Sequence, residues 1–237
     1  MLKKMKNLMF VFMLQGIFTV SFSQQLLTPT NAFSHQKTVY VTKMDGTEIK
    51  GNLDDVDRKK GLIEGIKIVD TTGTKIKLKA VDIKSMYLYP SGLDKLGKAM
   101  GTLTDVQKWN DEKLNNDLIN QGYIYIEQSE VQLKKEKMTL LMQLLNPSFS
   151  KYVKIYYDPL ASETASYGIG GITVVGGDAK SYFFKKGTEP AYKLEKKNYI
   201  KEFKTIWGDC DKLVKKYPEP KWTDLAKHTF EYSSECK

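Results

Sequence analysis

The sequence has very little arginine, histidine or cysteine, three residue types on which many functional sites depend. Arg58 is the single arginine among 237 residues, and there are two histidines and two cysteines. Lysine lacks the planar fork with which arginine reads guanine and grips phosphate, so we expect no nucleic-acid partner. His35 and His228 have no second histidine or carboxylate near them at ligand spacing, so we expect no metal site.

Long apolar runs are absent beyond the first residues of the chain. Residues 1–6 are basic, residues 8–20 are nearly all apolar, and Ser21-Phe22-Ser23 has small residues where a signal peptidase cuts. A run of about 13 residues fits the apolar part of a signal peptide, whereas a membrane span needs about 20. The pattern predicts a signal peptide over 1–23, an exported periplasmic or extracellular product and no membrane span. An uncleaved anchor is the alternative.

Lysine supplies almost all of the positive charge. The chain carries 37 basic and 28 acidic residues, and loss of residues 1–23 would lower the net charge from +9 to +6. A solvated lysine surface is the simplest interpretation, and weak attraction to anionic lipid or polysaccharide is the alternative. The hydrophobic content of 41% indicates a folded chain, of a length that suits one domain or two.

After an irregular lead-in over 24–36, residues 37–90 have the pattern of short antiparallel strands. Strict alternation over 75–79 places Ile76 and Leu78 on one face, and Asp45-Gly46 and Thr72-Gly73 are typical of tight turns. About five strands in so short a segment predict a small β-barrel-like subdomain. The predicted strands are 38–42, 48–53, 61–69, 75–79 and 81–89.

The rest of the chain changes character twice. Residues 91–122 predict a helical connector, and 123–237 predict an α+β subdomain with strands at 123–126, 138–145, 153–157 and 181–185. Apolar residues recur every three or four positions between Asn198 and Pro218, which predicts a buried helix and then a last helix capped by Thr223. The predicted fold is α+β, with an antiparallel barrel-like block, a connector, a second β region and a C-terminal helical hairpin.

Two segments have part of a ligand-binding motif. The glycine-rich stretch 168–177 lacks both the GK[ST] ending of a phosphate loop and the glycine spacing of a dinucleotide fingerprint, so we interpret it as a hairpin or surface loop. The acidic run 54–57 lacks the glutamate that completes an EF-hand loop, so we interpret it as a solvated turn. We therefore predict no catalytic, cofactor-binding or metal-binding residues.

The second half of the chain has several short motifs in a fixed order. They are MQLLNP at 142–147, KIYYDP at 154–159, a glycine-bearing loop, SYFFKK at 181–186, NYIKEFKTIWGDC at 198–210, and a last helix ending in Tyr232 and Cys236. In this order the chain resembles a family of exported Bacteroidetes proteins of unknown function, over roughly residues 138–237. The resemblance implies export and the same architecture, and it supplies no catalytic residues.

Cys210 and Cys236 are the only cysteines, and both lie in the helical tail. Because exported chains meet an oxidising compartment, we predict that they form a disulfide. In an ideal helical hairpin, Cys236 would pass Cys210 by several residues, so the bond requires the last helix to end near Ser233 and the chain to curl back. The alternative is a buried, inert Cys210 and a free Cys236.

Two functions remain open. The favoured hypothesis is a soluble, exported, non-enzymatic binding or envelope-associated module, whose partner is an envelope component or a protein. The alternative is a hydrolase that acts on envelope carbohydrate or peptide through paired carboxylates. A deep cleft with two carboxylates about 5–10 Å apart would favour the hydrolase, and a flat surface would favour the module.

Overall fold

The computed structural model describes residues 25–92, 110–161, 167–169, 172–175 and 179–237. For 167–169 and 172–175 only the backbone is described. The predicted signal peptide and residues 93–109 of the predicted connector lie outside the described residues.

Six antiparallel strands close into a barrel. They are β1 (Thr38–Lys43), β2 (Glu48–Lys59), β3 (Leu62–Asp70), β5 (Ile83–Leu88), β6 (Ile124–Leu133) and β7 (Glu136–Gln143). The order around the barrel is β3, β2, β1, β5, β6 and β7, and the pair between Leu141 and Ile63 closes it. The remaining strand of this part, β4 (Lys75–Lys79), pairs with β3 outside the ring.

The barrel forms because apolar residues alternate along its strands and point inward. Val39 and Val41 of β1, Ile66 and Ile68 of β3 and Ile126 of β6 are all buried in one aliphatic cluster. The turns are the predicted ones, since Gly46 and Gly73 adopt left-handed backbone conformations that glycine accepts without a steric penalty. The sequence prediction of a barrel-like block in an α+β protein is confirmed.

The acidic run at 54–57 is not a turn, and here the prediction was wrong. Strand β2 continues through this run to Lys59, with shifts of register against β3 between Leu53 and Asp55 and between Asp57 and Arg58. Lysines of β3 and β4 compensate the acidic side chains: Lys67 Nζ, on the adjacent strand, lies 2.7 Å from Asp55 Oδ2, and Lys75 Nζ, one strand further away, lies 3.3 Å from Asp54 Oδ2. The cross-strand pair of Asp55 and Lys67 stabilises the extended backbone, so the acidic run does not end the strand.

Three more strands build a second layer beside the barrel. They are β8 (Val153–Tyr157), β11 (Ser181–Lys186) and β12 (Ala191–Glu195), of which the sequence pattern missed β12. Strand β12 runs parallel to β6 through the pair Ala191–Val131, and β11 and β8 follow it in the sheet. Both faces of this layer are covered, because Phe183 packs toward the barrel and Phe184 toward the helices.

The barrel takes its last two strands, β6 and β7, from the region that follows the connector. Strand β5 precedes the connector and β6 follows it, and the two pair over four residues from Ser85 to Leu88. The predicted division into subdomains 37–90 and 123–237 stays a prediction. In the glycine-rich stretch, β9 (Tyr167–Ile169) and β10 (Ile172–Val175) pair as a separate two-stranded antiparallel sheet.

Four helices are described: α1 (Asn116–Asn120), α2 (Tyr199–Trp207), α3 (Asp211–Lys216) and α4 (Leu225–Glu235). The sequence pattern predicted one helix where α2 and α3 lie, but the chain leaves the helix at Gly208 and starts again after Cys210. The last helix follows Asp224 and not Thr223. Within the described residues, no helix is both long and apolar enough to cross a membrane.

Candidate binding groove at the barrel seam

At one junction of the barrel, β3 changes its partner. Ile63 of β3 pairs with Leu141 of β7, whereas β3 from Gly65 to Val69 pairs with β4. Strands β4 and β7 therefore pair with different parts of the same edge of β3, and they do not pair with each other. We call this junction the barrel seam.

An open groove of about 860 Å³ lies over the barrel seam. The tip of the β2–β3 hairpin, the end of β4 with the following turn, Thr139 and Leu140 of β7, and Leu160 line this seam groove. Its volume falls within the range of about 300–1,000 Å³ that small-ligand sites occupy in proteins. The seam groove is an open concave surface and not a deep cleft.

The lining of the seam groove carries excess positive charge. Two acidic side chains, Asp57 and Glu64, face five basic ones: Arg58, Lys59, Lys60, Lys77 and Lys79. Each acid already has a basic partner, since Lys77 Nζ lies 3.3 Å from Asp57 Oδ2 and Lys59 Nζ lies 3.9 Å from Glu64 Oε1. Lys60 and Lys79 have no acidic partner in the described part of the chain, so they remain available to an anionic ligand.

Apolar side chains are exposed in the same place. Among the described residues, four large hydrophobic side chains are exposed, and two of them, Val81 at 66% and Leu160 at 61%, line the seam groove. Leu62 and Leu140 are half-buried beside them. Exposed apolar side chains and unpaired lysines therefore share one groove.

The single arginine positions the hairpin tip of the groove. Arg58 Nη1 donates to the carbonyl of Gly61 at 2.9 Å, and Nη2 donates to the carbonyl of Asn31 at 3.3 Å. Its guanidinium also lies over the Phe33 ring, and burial lowers the pKa of Arg58. Because Lys60 and Gly61 both have positive φ angles, the turn is tight and holds Lys60 at its tip.

A second polar cluster tests the hydrolase alternative. Lys154 Nζ lies 2.8 Å from Asp111 Oδ2 and 2.8 Å from Glu127 Oε1. These two carboxylate oxygens are therefore at most about 5.6 Å apart. Burial by itself raises the pKa of Asp111, but hydrogen bonds from Lys154 and from the backbone of Lys113, together with the charges of these two lysines, outweigh burial and lower the pKa of that carboxyl. A glycosidase needs one carboxyl group that stays protonated as a general acid, and the lowered pKa of Asp111 does not suit it to that role.

Two tyrosines complete this cluster. Tyr156 Oη donates to Glu127 Oε1 at 2.7 Å and Tyr125 Oη donates to Glu127 Oε2 at 3.3 Å. Burial, followed by the negative charge of Glu127, raises the pKa of both tyrosines. Glu127 belongs to β6, whereas Lys154 and Tyr156 belong to β8. The cluster therefore joins the barrel to the second layer.

The structure brings the predicted cysteine pair together. Cys210 precedes α3, Cys236 follows α4, and their sulfur atoms lie at disulfide distance with the Cα atoms 5.7 Å apart. The last helix does not end near Ser233, as the prediction required, but runs to Glu235. The break after Gly208 moves Cys210 off the helix, so that no return of the chain is needed.

Neither histidine lines the seam groove, and the two serve separate parts of the fold. His35 Nδ1 lies 2.9 Å from the carbonyl oxygen of Leu53, and His228 Nδ1 lies 2.8 Å from Tyr199 Oη. No group of three or more His, Cys, Asp or Glu residues is placed to hold a metal ion in the ranges that the structure describes.

The sequence analysis missed the seam groove. One signal was present: Lys75, Lys77 and Lys79 alternate with the apolar residues of β4, so they form a basic face on that strand. The other parts, from the β2–β3 turn to β7, come from segments up to about 80 residues apart, and no sequence period connects them.

Comparison with protein-family models, curated proteins and solved structures finds no match to this chain.

Proposed function

We propose that this protein is an exported, non-enzymatic binding module, and that the seam groove is its ligand site. The observation that carries the proposal is the combination of exposed apolar side chains with excess basic charge in one open groove. A few polar or charged groups around an apolar surface are typical of binding sites. The ligand we propose is therefore an anionic envelope component or protein with apolar groups.

The hydrolase alternative has less support. In the seam groove both acids, Asp57 and Glu64, are paired with lysines. In the cluster around Lys154, one ammonium group is shared by both carboxylates. Glycoside hydrolysis needs a carboxyl group that stays protonated as a general acid, and the lowered pKa of Asp111 argues against that role in this cluster.

Export is part of the proposal. The basic start, the short apolar run and the small residues at 21–23 support a signal peptide, and the resemblance to exported Bacteroidetes proteins adds to it. A cysteine pair at disulfide distance is compatible with an oxidising compartment. N-terminal sequencing of the exported protein should give Gln24 as the first residue, and a start at Met1 would contradict cleavage.

Charge reversal tests the ligand site. We would titrate the protein with poly-L-glutamate, polygalacturonate and phosphatidylglycerol vesicles at low and high salt. The double variant Lys60→Glu and Lys79→Glu should weaken binding of at least one probe by about tenfold, since like charges then line the groove.

The matched control is Lys201→Glu with Lys204→Glu. Both lysines are exposed on α2 and outside the seam groove, and the two double variants change the net charge equally. An equal loss of binding in both double variants would show that net charge alone attracts the probes, and it would contradict a site in the seam groove.

A further inference from the structure

We infer that the seam groove binds an extended acidic peptide, which adds to the barrel as a strand along the open edge of β7. This inference rests on the proposed function and names the class of ligand. It depends on the pairing of β7, on the length of its open edge and on the side chains around that edge.

Strand β7 has a partner along its whole length on one side only. It pairs with β6 from Glu136 to Gln143. On its other side it pairs with β3 at Leu141 alone, because β3 continues with β4. In the described part of the chain, residues 136–140 of β7 thus have no strand on the groove side. An unpaired strand edge presents backbone donors and acceptors that another chain can pair with.

The open edge faces the seam groove, because Thr139 and Leu140 line it. At about 3.3 Å per residue, the five residues from 136 to 140 span roughly 16 Å. A groove of about 860 Å³ beside this edge has room for a peptide of comparable length in an extended conformation.

The side chains around the edge favour an alternating acidic and apolar peptide. Successive side chains of a strand point to opposite faces, so an alternating peptide presents one apolar set and one acidic set to a groove that is lined by Val81, Leu140 and Leu160 as well as by lysines. Lys60 and Lys79, which have no acidic partner among the described residues, would pair with carboxylates on that peptide. Charge complementarity thus selects an acidic ligand.

A polypeptide uses this surface more completely than the other anionic polymers. A polysaccharide could match the charge, but it has no regular row of amide donors and carbonyl acceptors for the edge of β7. A lipid headgroup could match the charge as well, but it would leave the same backbone groups unpaired. Backbone pairing gives affinity in strand addition, and alternate side chains give specificity.

The test uses a peptide of about eight residues that alternates glutamate and valine, together with the same peptide methylated at its internal amide nitrogens. Both peptides have the same charge and side chains, but the methylated one cannot donate backbone hydrogen bonds. The unmethylated peptide should bind, and methylation should weaken binding by about tenfold or more. The double variant of Lys60 and Lys79 should cause a similar loss, and amide exchange of residues 136–140 should slow in the complex.

The other outcomes are distinguishable. Equal binding of the two peptides would overturn strand addition while leaving the seam groove as a site for anions. Binding of polygalacturonate or of vesicles but not of the peptide, with the same dependence on Lys60 and Lys79, would also overturn the inference and leave the proposed function standing. If no anionic probe depends on these lysines, both proposals fail.

Discussion

The barrel and the C-terminal helices are stabilised in different ways. The barrel core is a cluster of aliphatic side chains in which, among the described residues, Phe33 is the one aromatic side chain. The core beneath the helices contains Tyr199, Phe203, Trp207, Trp222 and Tyr232. The imidazole ring of His228 lies among these rings, with its centroid 6.0 Å from that of Tyr199 and 5.1 Å from that of Phe203.

The difference has consequences for how each region responds to change. Burial of aliphatic surface is non-directional and does not titrate, so the barrel should respond mainly to lost volume. Hydrogen-bonded rings and a cysteine pair depend on protonation and oxidation, so the tail should respond to pH and to reductant. The following predictions test this contrast, from the largest expected effect to the smallest.

Truncation of a side chain in the barrel core should lower the free energy of unfolding the most. Ile126 is fully buried in the aliphatic cluster, so Ile126→Ala should lower the free energy of unfolding by about 2–5 kcal/mol through lost burial and a new cavity. Urea unfolding measures this loss. Val81→Ala is the control, because Val81 is 66% exposed and its change should stay within about 0.5 kcal/mol. Similar losses in the two variants would contradict a packed barrel core.

Loss of the cysteine pair should cause the second largest loss of stability. The two cysteines are 26 positions apart, and the chain-entropy model gives about 3.5 kcal/mol for a disulfide that closes such a loop. Cys210→Ser should therefore loosen the tail and leave the barrel strands protected from amide exchange. Thiol counting on unreduced, denatured protein should find no free thiol. Two free thiols per chain would contradict the predicted bond.

The tail should lose stability in acid because of His228. Burial lowers the pKa of His228 to about 4, from an ordinary value of 6.5, despite the opposing charges of Asp224 and Glu231. Between these pH values the unfolded chain binds the proton and the folded chain does not, so stability falls as the pH falls from about 6.5 to 4. The loss should reach about 3 kcal/mol at the lower end.

The geometry around His228 explains why it stays neutral. Its Nδ1 lies 2.8 Å from Tyr199 Oη, and Nε2 is buried without a hydrogen-bond partner within the described residues. A proton on both nitrogens would leave a buried positive charge without a counter-ion in direct contact. Urea unfolding across this pH range should be flatter for His228→Gln than for the wild type, and His35→Gln is the control. An unchanged slope in His228→Gln would assign the pH dependence to other groups.

Cleavage in the connector should change the fold least. We expect limited proteolysis to cut first between residues 91 and 122, where the composition shifts. Because β5 and β6 pair across that segment, the two fragments should stay together on a sizing column without denaturant. First cuts within 75–89 would contradict the predicted connector, and separation of the fragments would show that the barrel does not hold the two regions together.

The strands of the first half could be predicted because their cause is local. Alternation such as that of Ile76 and Leu78 shows which face is buried, and the glycines at 46 and 73 show where the chain turns. The acidic run at 54–57 was misread as a turn because the lysines that compensate it lie on β3 and β4. The break between α2 and α3 was missed because the apolar spacing continues across Gly208.

The sequence by itself determined the antiparallel pattern of strands 1 to 5, the helical tail and the identity of its two cysteines, because each depends on residues close together in the chain. Only the tertiary structure decided that β6 and β7 complete the barrel and that β7 keeps an open edge. It also gathered Lys60, Lys79, Val81 and Leu160 around one groove. Contacts between distant segments depend on how whole faces pack, and no local pattern records them.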